Sequence, residues 1–116
     1  MTLEKKIEQK HADLAAKDDW FAPKFKNESR RAAPDRLYLK AGDAIPDWGN
    51  EAQPEIRFIE WKAPGRTPTT QQWLYIMNLR KLGFIADWSD NVERGMAILD
   101  GTHETFYPPE GYLEPI

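Results

Sequence analysis

The most constraining feature of this chain is a succession of strand, helix and strand signals in its second half. Residues 56–62 read as a strand, which Pro64 and Gly65 stop. A helix follows, with Thr69 as its N-cap and Gly83 as its C-terminal stop. Residues 84–88 then read as a further strand, so the pattern predicts an α/β fold.

The rest of the chain completes this fold with two helices, two strands and irregular segments. The first half is predicted to contain a helix over residues 2–18 capped by Thr2, a strand at 20–25, a loop at 26–33, a strand at 36–40 and an exposed turn at 42–54. The second predicted helix is short, ends at about Leu99 and is opened by a capping box of Asp90 and Glu93. Pro23 confines the strand at 20–25 to a sheet edge or to its own end. We expect a single α/β domain with a small mixed sheet flanked by helices, followed by an irregular tail.

Composition excludes several kinds of site. A chain of 116 residues without cysteine has no disulfide, no thiolate zinc ligand and no cysteine nucleophile, and its two histidines make a histidine-rich metal site improbable. No run of eighteen apolar residues occurs, and no apolar run follows the N-terminal charges as in a signal peptide. We therefore expect a cytoplasmic protein with no membrane partner.

The net charge of −3 argues against nucleic-acid binding only when it is averaged over the whole chain. Residues 20–40 and residues 57–83 each carry +4, while the other segments are acidic. If the two basic blocks fold onto one face, a phosphate backbone could bind there. A solvated surface whose charge alternates by chance is the alternative.

Two residues of the strand at 56–62 carry the candidate chemistry. Strand alternation puts Glu60 and Lys62 on one face of an otherwise apolar strand, and a cross-strand ion pair is the structural alternative. Asp35 follows Pro34 at the mouth of the preceding strand, so two adjacent strands could aim all three charged side chains at one point. Two carboxylates and a backbone carbonyl suit Mg²⁺ or Mn²⁺, and Lys62 beside a water molecule there would suit phosphodiester hydrolysis.

These residues match a known pattern. Pro34-Asp35 and Glu60-Trp61-Lys62 fit the signature of the PD-(D/E)xK nuclease superfamily. Within that superfamily, the strings APDRLYL and RFIEWKAPGRTPTTQQWLYIMNLRKLGF resemble the virus-type replication-repair nuclease (VRR-NUC) domain, and the resemblance extends over about residues 4–99. It implies an αβββαβ core of the restriction-endonuclease-like type in residues 1–101, with residues 102–116 as an additional tail.

The resemblance also implies roles for individual residues. Asp35, Glu60 and the main-chain carbonyl of Trp61 would be ligands of Mg²⁺ or Mn²⁺, and Lys62 would orient or activate the attacking water. Glu8 would complete the acidic cluster, although it also fits a solvated helix face beside Glu4. Gln72 would line the site, although it also fits a purely structural capping box with Thr69. The basic residues expected to bind phosphates, each equally an ordinary surface charge, are Lys24, Arg30, Arg31, Arg36 and Arg66.

As a function, the resemblance implies a homodimeric, metal-dependent endonuclease for branched DNA such as four-way junctions, of a phage or prophage type. A non-catalytic DNA-binding or assembly module that keeps the fold is the main alternative, and a structural protein with a Glu60–Lys62 ion pair is a third. The acidic segment at 42–55 and the tail depart from the family pattern, and either could shape substrate access or cover a dimer surface.

Overall fold

A computed structural model of the chain describes residues 1–25, 33–42 and 53–111. These residues form three helices and three strands. In chain order they are α1 (Leu3–Lys17), β1 (Arg36–Lys40), β2 (Glu55–Trp61), α2 (Thr70–Lys81), β3 (Ile85–Ser89) and α3 (Val92–Asp100). The predicted α/β class is confirmed.

The strands form one mixed sheet in the order β1-β2-β3, as the sequence predicts for a small mixed sheet. β1 runs antiparallel to β2, and β3 runs parallel to β2. Because successive side chains of a strand face opposite sides, the two faces of β2 enter different cores. Ile59 and Trp61 pack with α1 and α3, whereas Phe58 packs with α2.

Each core is built from a few large side chains. Burying them supplies the main drive for placing helices on both faces of the sheet. The core between the sheet, α1 and α3 contains Ala15, Trp20, Tyr38, Ile59, Trp61, Ile98 and Leu99. The core between the sheet and α2 contains Phe58, Trp73, Ile76, Leu79 and Ala86.

Two of the three predicted helix caps are confirmed, and the third is wrong. Thr2 caps α1, and Thr69 with Gln72 forms the predicted capping box of α2. The predicted box of Asp90 and Glu93 is wrong, because the N-cap of α3 is Asn91, whose side chain accepts from the backbone of Arg94 at 2.7 Å.

Asp90 is engaged elsewhere. Its carboxylate accepts from the Gly65 backbone at 3.2 Å and from the Asn91 side chain at 2.9 Å. A contact with a loop distant in sequence thus removes this residue from capping, and helix propensity alone does not reveal that contact.

The strand predicted at residues 20–25 is replaced by two isolated bridges to β1. Phe21 pairs with Leu39 and Lys24 pairs with Arg36, both antiparallel. Between them stands Pro23, which has no N–H to donate. The segment therefore lies along the edge of β1 without forming a continuous ladder, and the four strands predicted in sequence become three.

The segment after α3 is irregular up to residue 111, as predicted, and it is anchored by a buried carboxylate. Asp87 of β3 is fully buried and lies 3.3 Å from Arg80, 3.0 Å from Arg94 and 3.6 Å from His103. Burial lowers the pKa of His103, and the neighbouring arginines act in the same direction. Two arginines on one carboxylate satisfy a charge that would otherwise be costly to bury.

Three predictions concern residues outside the described ranges. Arg30 and Arg31 lie outside them, as do most of the acidic turn at 42–54 and residues 112–116 of the tail. Within the described ranges, no helix is long and apolar enough to cross a membrane.

Candidate active site

The register of β1 and β2 places Asp35 opposite Glu60. Arg36 is paired with Ile59, and one step further along each strand leads to Asp35 and Glu60. The Asp35 carboxylate accepts a hydrogen bond from the Trp61 backbone N–H at 2.8 Å. These two acids, 25 positions apart in the chain, therefore lie at adjoining positions at one end of the β1–β2 pair.

The Trp61 carbonyl leaves β2 on the side of β1. In an antiparallel ladder, the N–H and C=O of one residue leave the strand on the same side. Since the Trp61 N–H reaches Asp35, its carbonyl oxygen is directed to the edge where Asp35 lies. The three oxygen donors predicted from the resemblance thus come from adjoining positions of two paired strands.

Glu60 is buried, with only 2% of its surface exposed. The Lys62 ammonium lies 3.8 Å from its carboxylate, so the ion pair expected as the structural alternative exists, although it is too long for a hydrogen bond. The Lys62 backbone is fixed by a 2.9 Å hydrogen bond to the Ser89 carbonyl. The Lys62 side chain therefore extends from the end of β2 beside Glu60, while a hydrogen bond to β3 fixes the Lys62 main chain.

Gln72 makes both of the contacts that the sequence presents as alternatives. Its side-chain oxygen accepts from the Thr69 N–H at 2.9 Å, which closes the capping box. Its side-chain nitrogen donates to the Glu60 carboxylate at 2.8 Å. The cap of α2 and the orientation of a buried acid on β2 therefore depend on one amide.

Glu8 lies on the other side of the sheet from Glu60. It is 5% exposed, and its carboxylate accepts from Lys24 at 2.6 Å and from Arg36 at 2.9 Å. Arg36 and its partner Ile59 face α1, whereas alternation turns Glu60 toward α2. The structure thus joins Glu8 to two cations, and its role as a metal ligand stays a prediction.

The same contacts decide whether two residues predicted to bind phosphates, Arg36 and Lys24, are accessible for it. The Arg36 side chain is 11% exposed and also donates to the Ala22 carbonyl at 2.7 Å, so it is committed to the interior. Lys24 keeps a side chain that is 61% exposed. Of this pair, only Lys24 retains enough surface to meet a phosphate.

An open cleft of about 460 Å³ adjoins Lys62. It lies between the first turn of α1 and the loop that follows β2. Its lining residues are Thr2, Leu3, Glu4, Lys62, Ala63, Arg66, Thr67 and Thr69. Two of the predicted residues, Lys62 and Arg66, therefore share one concave surface. Two cations on such a surface suit the binding of a phosphate.

Glu4 is an acidic residue of this cleft to which the sequence motifs assign no role. It lies one helical turn before Glu8 on α1, so the two acids share a helix face. The four-residue spacing is visible in the sequence, and it makes either acid a candidate for the metal-ligand position assigned to Glu8. The structure places Glu4, not Glu8, in the cleft that Lys62 lines.

The donor set suits magnesium or manganese with a low number of protein ligands. Over residues 1–25, 33–42 and 53–111, no group of three or more His, Asp or Glu side chains is arranged to hold a metal ion. Mg²⁺ is commonly held by only one or two carboxylates and keeps several waters. Asp35, Glu60 and the Trp61 carbonyl are oxygen donors of the kind that such a site uses, whereas a zinc-type cage would need more side-chain ligands.

Comparison with other proteins adds no assignment. No model of a known protein family matches the chain, and no characterised protein shows significant sequence similarity to it.

Proposed function

We propose that this protein is a Mg²⁺- or Mn²⁺-dependent endonuclease that hydrolyses phosphodiester bonds in branched DNA. One observation carries the proposal: Asp35 and Glu60 stand opposite each other at the end of two paired strands, with Lys62 beside Glu60 at the mouth of a cleft that also contains Arg66. Hard oxygen donors next to a cation are the combination that phosphodiester hydrolysis needs.

The residues divide the chemistry among them. Asp35, Glu60 and the Trp61 carbonyl would hold the metal, which would supply charge stabilisation for the phosphate and help to activate water for the attack. Lys62 donates hydrogen bonds to the attacking water or to a phosphate oxygen. Gln72 keeps the Glu60 carboxylate in place through its 2.8 Å hydrogen bond.

Arg66 and Lys24 are the exposed cations that would bind the phosphate backbone. Arg66 is exposed and lines the cleft of Lys62, and the Lys24 ammonium is anchored by Glu8 while most of its side chain faces solvent. Such contacts position the nucleic acid without reading its sequence. This agrees with an enzyme that selects DNA by shape.

The preference for branched DNA, the homodimer and the cellular context come from the VRR-NUC resemblance. Symmetric incision of a four-way junction needs two active sites related by a two-fold axis, and a homodimer provides them. We place this activity in DNA repair or phage DNA processing, in the cytoplasm of a bacterial or phage-infected cell.

The decisive experiment compares cleavage by wild type, Lys62→Ala and Lys10→Ala. Labelled four-way, flapped and linear duplexes are incubated with each protein in Mn²⁺ or in EDTA. We expect cutting of branched DNA in Mn²⁺ only, a loss of about 100-fold or more in Lys62→Ala, and wild-type rates in Lys10→Ala, which alters an exposed lysine of α1.

Two outcomes would contradict the proposal. Unchanged cleavage by folded Lys62→Ala would remove Lys62 from the chemistry. Salt-sensitive binding to junctions without cutting in any divalent metal would instead favour the non-catalytic DNA-binding module.

A further inference from the structure

A second cavity, of about 380 Å³, adjoins the cleft of Lys62 and has aromatic walls. Thr67 lines both spaces, so they share a wall. The residues that line this aromatic cavity are Thr67, Pro68, Trp73, Trp88, Phe106, Tyr107 and Pro109. Helix α2, strand β3 and the tail therefore build it together.

The tail side of the aromatic cavity is held by the Asp87 cluster, which consists of Asp87, Arg80, Arg94 and His103. The Phe106 N–H donates to the Asp87 carboxylate at 3.2 Å, and its carbonyl accepts from Arg80 at 2.8 Å. The Arg94 guanidinium lies 3.4 Å from the centre of the Phe106 ring. With both backbone groups and one ring face fixed, Phe106 is preorganised, which lowers the entropy cost of binding a flat ligand.

Tyr107 supplies an exposed aromatic ring at the rim. It is 71% exposed, while Trp73 at the cavity wall is 4% exposed. The Arg80 guanidinium lies 5.6 Å from the Tyr107 ring and 5.9 Å from the Trp73 ring, so one cation contacts both aromatic systems. A ring this exposed adds little to the core, and its face is accessible to a ligand.

We propose that the aromatic cavity stacks an unpaired nucleobase of the DNA whose backbone lies in the neighbouring cleft. Aromatic side chains stack on bases of any sequence, and adjacent cations hold the phosphates of the same strand. Lys62 and Arg66 provide those cations across the wall formed by Thr67. The inference rests on the proposed nuclease function, because a branch point is where duplex DNA offers an unstacked base.

A proline-rich peptide is the competing occupant, since such peptides bind aromatic grooves. The cleft across the shared wall contains two cations, Lys62 and Arg66, against one acid, Glu4, and this excess of positive charge favours the polyanion. A peptide has no phosphates to occupy that cleft, so it would use only half of the continuous surface.

The test measures binding in EDTA, where metal-dependent cutting cannot interfere. The probes are a labelled four-way junction with one unpaired thymidine at its branch point and the same junction with an abasic residue there. Stacking of one base contributes about 1–3 kcal/mol, so wild type should bind the thymidine junction about fivefold to 150-fold more tightly. Tyr107→Ala should abolish this difference, whereas Tyr107→Phe should retain it.

Phe21→Ala is the matched control, because Phe21 is a similarly exposed aromatic ring that pairs with Leu39 at the far edge of β1. It should preserve the full preference for thymidine. Equal affinity of wild type for the two junctions, within twofold, would overturn the inference. Displacement of the thymidine junction by a proline-rich decapeptide in wild type but not in Tyr107→Ala would assign the cavity to peptides instead.

Cleavage of the same junctions in Mn²⁺ separates this inference from the nuclease proposal. Cutting without a preference for the thymidine junction in binding would refute the base-stacking cavity alone. A clear preference in binding with no cutting would refute the nuclease while supporting the cavity.

Discussion

At the residue scale, the chemistry of the candidate site depends on spacings that are visible in the sequence. Glu60 and Lys62 are two apart on a strand and therefore share a face, and Thr69 and Gln72 have the spacing of a capping box. What the sequence could not decide was whether Gln72 caps a helix or contacts the site. The structure shows that one amide does both, because its oxygen and nitrogen point to different partners.

Separate substitutions of Thr69 and Gln72 should distinguish these two contacts. Thr69→Ala removes the side-chain half of the cap and should lower the free energy of unfolding by about 1 kcal/mol. Gln72→Ala also leaves the buried Glu60 carboxylate without this donor, so it should cost about 2 kcal/mol. Urea denaturation of both variants measures the difference, and equal losses would show that the bond to Glu60 contributes nothing to stability.

His11 makes stability depend on pH. It is fully buried among Tyr38 and Trp61, and burial lowers its pKa from 6.5 to about 4. Between these values the unfolded chain binds a proton that the folded chain does not, so the free energy of unfolding falls as the pH falls. From pH 7 to pH 5 this residue should account for a loss of about 2 kcal/mol.

The measurement is urea denaturation at the two pH values for wild type and His11→Phe, which keeps an aromatic ring at this position. The variant should lose less stability than wild type on acidification. Identical losses in both proteins would show that His11 does not cause the pH dependence.

At the scale of elements, local signals predict helices and their ends, whereas contacts distant in sequence decide the exceptions. Thr2 and Thr69 cap the helices that their positions indicate. Asp90 does not cap α3, because Gly65 from another loop occupies its carboxylate. The Asp87 cluster was missed for the same reason, since its two arginines and one histidine come from three different segments.

Gly95 sets how closely α3 approaches the sheet. A Cβ atom at this position would lie 2.5 Å from the Trp61 ring and 2.6 Å from the His11 ring, both in the core. Gly95→Ala should therefore destabilise the protein by about 1–3 kcal/mol through overpacking, although alanine is the better helix former. Thermal unfolding tests this, and a higher melting temperature in the variant would contradict it.

At the scale of the whole molecule, counting charges in sequence overestimates the surface available to DNA. Within the two basic blocks, Arg36 is committed to the buried Glu8 and Arg80 to Asp87, which also engages Arg94 from outside the blocks. The cations that remain at the cleft are fewer than the two basic blocks suggest. A sequence count cannot separate these groups, because partners in a buried ion pair are brought together only by folding.

Metal binding at the candidate site should raise the stability of the entire fold. A ligand that binds only the folded state at 100 times its Kd stabilises it by about 2.7 kcal/mol. Mn²⁺ should therefore raise the melting temperature of wild type and leave that of Asp35→Ala unchanged. Differential scanning fluorimetry with Mn²⁺ and with EDTA provides the measurement, and an equal shift in the two proteins would place the metal elsewhere.

The segment along the outer side of β1 has a consequence for self-association. Phe21 and Lys24 each bridge to this strand, and Pro23 stands between them without an N–H. The Pro23 carbonyl accepts from the Leu37 N–H, so the missing N–H faces β1. A further strand that approached β1 from this side would meet a segment that already covers the edge, and covered edges are protected from aggregation. At high concentration the protein should therefore resist edge-to-edge polymerisation through β1.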